Sequence, residues 1–214
     1  MNELHGSLPT SLFGLSQLSS VDLSENCLSS TIPNDIFRWH QLSSLKLGNN
    51  HFSGRLPPLL SEIGFLNISH NSFYGPITSS STQFRYPGRV NVLDISNCNY
   101  TGQDVFGEAI GGLSGLQEVY FDGNTLNRNL PSSLEGLQSL SVLSGRHSSL
   151  TGQIPEWIGR LTALEQLILS ENELSGLLPT MVGNLDQLQV LELNDNLLDG
   201  NLPREFEQLS NLRK

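Results

Sequence analysis

The sequence predicts an α/β-type repeat solenoid, a stack of short coils whose strands pair into one parallel β-sheet. Three observations carry that prediction. The segment LEQLILSENELSGLLP at 164–179 returns as LQVLELNDNLLDGNLP at 188–203, 24 residues later. Anchoring on the shared Asn finds the same place at Asn2, Asn26, Asn50, Asn71, Cys98, Asn124, Ser148, Asn172 and Asn196, with spacings of 24, 24, 21, 27, 26, 24, 24 and 24. Residues five and three before the anchor are apolar, as in Leu45 and Leu47, Leu93 and Ile95, Leu167 and Leu169, and Leu191 and Leu193. A regular period of this length marks stacked supersecondary units.

The alternation of apolar and polar residues before each anchor has a period of two, which describes a short strand with one buried face. Leu161 and Leu164, then Leu174 and Leu178, place further apolar side chains inward where the chain returns around the coil. One coil alone buries too little apolar surface to offset the entropy of ordering it. Stacking covers both flanks of each leucine layer and pairs adjacent strands about 4.8 Å apart.

The anchor Asn stands where the strand ends and the chain turns inward, burying backbone N–H and C=O groups. Its amide supplies two donors and an acceptor, enough to bond its own loop and the adjacent coil. Cys98 and Ser148 offer weaker or fewer hydrogen bonds at that place, so their coils are expected to be the softest. After the anchor comes G-x-[I/L]-P, at 6–9, 54–57, 152–155, 176–179 and 200–203; Ser30 and Arg128 replace the Gly in two further copies that keep Pro33 and Pro131. Gly permits a tight turn, and Pro fixes φ while removing a donor, so the pair ends one segment and starts the return path.

Two neighbouring copies depart from this pattern. Thr78 replaces the Pro in GPITSSSTQFRYPGRV (75–90), and GQDVFGEAIGG (102–112) lacks the motif altogether. The irregular region at 75–112 is read in two ways: as a surface loop, or as a protruding segment that helps hold a ligand through Arg85, Tyr86 and Arg89.

With 11 basic and 21 acidic residues the formal charge is -10, a field that repels phosphate backbones and argues against nucleic acid as a partner. The charge is uneven: residues 1–107 hold 5 basic and 7 acidic groups, residues 108–214 hold 6 and 14. A basic partner meets its strongest attraction in the C-terminal half. No apolar run approaches the roughly 18 to 20 residues of a membrane span, and MNELHGSLP lacks a basic segment followed by an apolar one. Neither membrane contact nor an export signal is expected of this segment.

The composite L-x-x-L-x-x-L-x-L-x-x-N-x-L-x-G-x-I-P, as in LTALEQLILSENELSGLLP (161–179), resembles the plant-type leucine-rich repeat, and the likeness covers essentially the whole chain. It implies a right-handed superhelix with a concave parallel sheet and an irregular or 3-10 convex side: a single solenoid segment of about nine repeats over 1–214. The family includes ectodomains of receptor-like kinases and receptor-like proteins, and secreted polygalacturonase-inhibiting proteins. All act by binding, so the resemblance implies recognition and leaves the partner open. Two departures qualify the likeness. Family ectodomains carry cysteine-paired caps, whereas Cys27 and Cys98 lie three coils apart, roughly 14 Å by strand spacing and beyond the ~7 Å Cα limit, so no internal disulfide is expected. The chain also opens on an anchor and stops before the strand of a tenth copy, reading as an uncapped slice of a longer solenoid.

Side chains that alternate with the buried leucines are expected to face the concave surface. Four before each anchor the column reads Asp22, Lys46, Asn67, Asp94, Tyr120, Ser144, Ile168 and Glu192. These positions vary while the scaffold columns do not, as a binding face requires. Phe65, His70, Tyr120, Arg146 and His147, flanked by Asp94 and Asp122 and continued by Ile168 and Glu192, form the candidate ligand patch. Ordinary polar cover is the alternative. Sequons at Asn67 and Asn99 are possible glycosylation sites, and a glycan on Asn67 would obstruct the patch. His70 and His147 lie too far apart to share a metal ion, and no catalytic, phosphate-binding or dinucleotide motif is present, so no enzyme activity, metal or cofactor is expected.

The expected partner is a protein or peptide ligand, with a possible co-receptor, bound by a receptor ectodomain segment outside the cell or at its surface. An inhibitor of a cell-wall-degrading enzyme and an intracellular scaffold are the alternatives; two unpaired cysteines suit a reducing cytoplasm. Ice binding, also known on this scaffold, needs matching Thr or Asn columns, and these are mixed.

Overall fold

The computed structural model describes residues 2–57, 63–77, 89–101, 105–106 and 108–213. Arg85 and Tyr86 lie outside the described residues. Eight three-residue strands form one parallel sheet in chain order: Ser20–Asp22, Ser44–Lys46, Phe65–Asn67, Val92–Asp94, Glu118–Tyr120, Val142–Ser144, Gln166–Ile168 and Val190–Glu192. Register aligns their central residues, from Val21 and Leu45 through Leu66, Leu93, Val119 and Leu143 to Leu167 and Leu191. These side chains point inward; the six inner ones are buried, and the terminal pair, covered on one flank, are half-buried.

A second line of short parallel strands follows the anchors. It runs His5–Gly6, Cys27–Ser30, His51–Gly54 and Ser72–Phe73, then resumes at Thr151–Gly152, Glu173–Gly176 and Leu197–Leu198. Between them the described residues hold only the isolated bridges Thr101 to Thr125 and Arg128 to Leu150. The interruption falls on the copies whose turn motif is altered.

The return side consists of five-residue 3-10 helices. Thr10–Gly14, Asn34–Arg38, Ser132–Gly136, Glu156–Arg160, Thr180–Asn184 and Arg204–Gln208 each follow an extended proline, with φ between -60° and -77°. Each proline carbonyl accepts the N–H three residues on, so the ring ends the strand path and seeds the helix. Glu108–Gly112 forms the same helix without a proline. Close stacking replaces the motif there: a Cβ on Gly111 would lie 2.5 Å from the Ser133 carbonyl, and one on Gly136 2.6 Å from that of Gly111.

Aromatic pairs fill the core where leucines leave off. Phe13 packs on Trp39 at 4.9 Å, Phe52 on Phe73 at 6.4 Å, and Phe106 edge-on to Phe121 at 5.2 Å. Trp39 is buried and Trp157 half-buried against the core, both as cover for the leucine layers.

The anchors bind coil to coil. Asn172 Nδ2 donates to the carbonyls of Gly145, Leu169 and Ser170, and its Oδ1 accepts the N–H groups of Ser148 and Leu150 in the preceding coil. Asn50, Asn71, Asn124 and Asn196 repeat this pattern. Cys98 Sγ donates to the Ile68 carbonyl at 3.1 Å, and Ser148 Oγ to that of Phe121 at 2.9 Å. Both substitutes thus reach the previous coil with a single donor group.

Candidate functional site

The outward face of the long sheet is built by the two residues that flank each buried centre. Register places Asp22, Lys46, Asn67, Asp94, Tyr120, Ser144, Ile168 and Glu192 in one row, the column read from sequence. A second row, absent from the sequence reading except for Phe65, holds Ser20, Ser44, Phe65, Val92, Glu118, Val142, Gln166 and Val190. The same alternation that exposed the first row places this one two residues earlier.

Immediately before each anchor the chain turns through the left-handed region. Glu25, Asn49, His70, Asn97, Gly123, His147, Glu171 and Asp195 all have φ between 50° and 65°. This turn projects His70 and His147 outward at the rim, both exposed. At Gly123 the requirement is double, because a Cβ would also lie 2.1 Å from Asn97 Oδ1.

The candidate residues divide into two groups. In the first, Asn67 Nδ2 donates to Asp94 Oδ2 at 2.7 Å, Lys46 Nζ lies 5.6 Å from the Phe65 ring centroid, and Asn97 Nδ2 is 3.4 Å from His70 Nε2. In the second, Asp122 Oδ1 accepts Ser144 Oγ and the Arg146 N–H, both at 2.7 Å. Arg146 in turn donates to Glu171, whose second oxygen lies 3.6 Å from His147 Nδ1. Tyr120 stands between the groups and donates its hydroxyl to Glu118 Oε2 at 2.9 Å. Lys46 and Ser144, in the column but not in the candidate patch, and Glu171 each gain a role from a partner one coil away, whereas Glu118 gains its role from Tyr120 in the same strand.

Burial raises the Asp122 carboxyl above the ordinary range, and its bonds from Ser144 and Arg146 oppose that rise. Tyr120 is also raised, by burial first and then by Glu118, so its phenol stays protonated and can donate. Asp22 is lowered by its bonds from Ser24. The face thus offers half-buried carboxylates, a phenol and amides on a rigid ladder, suited to holding polar and charged groups of a ligand.

Two other features lie off this face. A cleft of about 480 Å³ sits at the edge that precedes the strands, lined by His40, Gln41, Leu42, Ser43, Gly64, Arg89 and Asn91, beside the coil shortened to 21 residues. Asn99, of the second sequon, is exposed with φ 58°, whereas the Asn67 amide is tied to Asp94 and Ser69. Among the described residues no group of three His, Cys, Asp or Glu side chains could hold a metal ion, and no helix is long and apolar enough to cross a membrane.

Stacked coils with an asparagine ladder and a one-sided parallel sheet define a repeat solenoid of the leucine-rich class. The family described as "Leucine-rich repeat region" matches residues 70–214, and "Leucine Rich Repeat" matches 17–39 and 41–63. The chain belongs to the leucine-rich-repeat family. It is 34% identical over 138 residues to Receptor-like protein 7 of Arabidopsis thaliana, a match covering 64% of this chain and 11% of that protein. Among solved structures, a TDR receptor aligns with 99% of this chain and 36% of its own, at 29% identity and a TM-score of 0.89. The ectodomain of the Arabidopsis receptor kinase HAESA, in complex with an extended IDA peptide hormone, aligns with 99% of this chain and 35% of its own, at 31% identity and a TM-score of 0.82. The chain thus spans about a third of the length of these two solved chains.

Proposed function

We propose that this chain is a recognition segment of a plant-type leucine-rich-repeat receptor ectodomain, and that its concave face binds a protein or peptide outside the cell. One observation carries the reading. The inward columns are uniformly apolar while the outward row from Asp22 to Glu192 changes residue type at every coil; within and beside it Tyr120 bonds to Glu118, and Asp122 holds Ser144 and the Arg146 N–H. A solvated face needs no such fixed arrangement of aromatic and charged groups. The likeness to receptor ectodomains, one of them solved with a peptide hormone, supports the same reading. No catalytic role is assigned to any residue. A co-receptor is a further partner of this reading.

The test is capture of peptides from a synthetic library by the purified chain, followed by alanine substitution of Tyr120 and Arg146. The reading expects each variant to lose about tenfold or more in affinity, as central interface residues do. Unchanged affinity in both would refute it.

A further inference from the structure

The outward rows obey a local rule that one coil breaks. Where the residue four before the anchor is Asp or Asn and the residue two before is Ser, the side chain of the former accepts from the latter. Ser24 donates to Asp22 Oδ1 through its N–H at 3.1 Å and its Oγ at 2.6 Å, and Ser69 to Asn67 Oδ1 at 3.1 and 2.9 Å. The Ser96 N–H donates to Asp94 Oδ1 at 3.0 Å. The Asn172 coil has the serine, Ser170, but carries Ile168 in place of the acceptor. Ser170 is 1% exposed and its Oγ has no hydrogen-bond partner among the described residues. A buried hydroxyl without a partner is destabilising, so Ile168 stands where the fold's own chemistry favours Asp or Asn.

Nor does Ile168 compensate by joining the core. It lies in the outward row, half-buried, between Ser144 and Glu192 in register, with Val190 in the neighbouring row. Glu192 lies beside it in register, Glu165 and Glu171 stand three residues before and after it in the chain, and Asp195 lies in the turn of the next coil. The Arg146 guanidinium is engaged by Glu171 and also attracted by Glu192. The result is a small apolar spot with a carboxylate rim, in the half of the chain with 14 acidic and 6 basic residues.

We infer that Ile168 is a specificity-determining contact, which receives an apolar side chain of a peptide segment whose flanking residues are basic. This rests on the concave-face reading and adds the chemistry of the ligand. Carboxylates at the rim select the flanks by charge, and Ile168 supplies the desolvated centre.

The experiment uses the whole chain and a peptide library in which a central position and its flanks are varied independently. Wild type is expected to enrich apolar centres with Lys or Arg on both sides. Ile168→Asn is expected to lose that enrichment and about tenfold or more in affinity for the best peptide, while its melting temperature holds or rises by about 2 to 4 °C as Ser170 gains an acceptor. Ile168→Val keeps the apolar contact and is expected to bind within a few-fold of wild type. Peptides that depend on Tyr120 and Arg146 but bind Ile168→Asn as well as wild type overturn this inference and leave the concave face intact. Binding indifferent to all three positions overturns both. A fall of several degrees in the melting temperature of Ile168→Asn also overturns it, because the isoleucine would then be structural.

Discussion

Replacing Asn172 by Ala removes one rung of the asparagine ladder and tests how the coils are held. Its Oδ1 accepts the N–H groups of Ser148 at 3.0 Å and Leu150 at 2.9 Å, and its Nδ2 donates to the Gly145 carbonyl at 2.8 Å. The other two carbonyls it serves have second donors: Asn196 Nδ2 for Leu169, and the His147 N–H for Ser170. Three backbone groups therefore lose their described partner. At about 1 to 2 kcal/mol for each buried group left unsatisfied, the substitution is expected to cost about 3 to 6 kcal/mol, a large share of a domain's stability. Urea unfolding followed by circular dichroism gives the total, and hydrogen exchange locates it at the Ser148 and Leu150 amides. Asn26 is the internal control. Among the described residues it accepts only from Leu4 and donates to Leu23 and Ser24, so its alanine variant should cost distinctly less. A loss below about 1 kcal/mol at Asn172, with both amides still protected, would falsify the view that these side chains join the coils.

Three further outcomes are expected. Burial pushes the Cys98 thiol up to about 12, so a thiol reagent at neutral pH should label exposed Cys27 and spare Cys98 until the chain unfolds. Asp122 is raised in the folded state, so its charge costs stability at neutral pH, and that cost is relieved as pH falls through the raised value. Asp122→Asn keeps an acceptor for Ser144 and Arg146; it should melt no lower than wild type near pH 7 and show a flatter melting profile through the acidic range in which the wild-type carboxyl takes up its proton. Gly123→Ala adds a Cβ at a φ of 65° and 2.1 Å from Asn97 Oδ1, and should cost about 1 to 3 kcal/mol, read by thermal unfolding.

Much of this architecture is legible in the sequence because its period is carried by side chains of one chemical kind. Leu45, Leu93 and Leu167 recur at fixed offsets from an anchor, and each is buried at the centre of a strand. The proline of the turn motif likewise marks the start of a 3-10 helix at Pro9, Pro33, Pro131, Pro155, Pro179 and Pro203. The helix at Glu108–Gly112 was hidden because glycine stacking against the next coil, a contact between distant residues, takes the place of a local signal. The site was only partly legible for a similar reason. Column arithmetic placed Asp94, Tyr120 and Ile168 in one row, but whether a side chain faces a ligand or a neighbour depends on the adjacent coil. Arg146 reads as a cation to be used and is bound to Glu171; Ile168 reads as one of several and proves to be the break in a rule.

The central claim is that recognition occurs on the outward rows of the long sheet. Steric blocking tests it most directly. In a Cys27→Ser background, single cysteines at Lys46, Glu192 and Gln138 are coupled to a bulky maleimide, and capture of the library-selected peptide is measured before and after coupling. The first two lie in the sheet row, and Gln138 is exposed on the far side beside a 3-10 helix. Coupling at Glu192 is predicted to abolish capture and at Lys46 to weaken it, with no effect at Gln138. Capture that survives both sheet labels and is lost at Gln138 would place recognition on the opposite side and contradict the account.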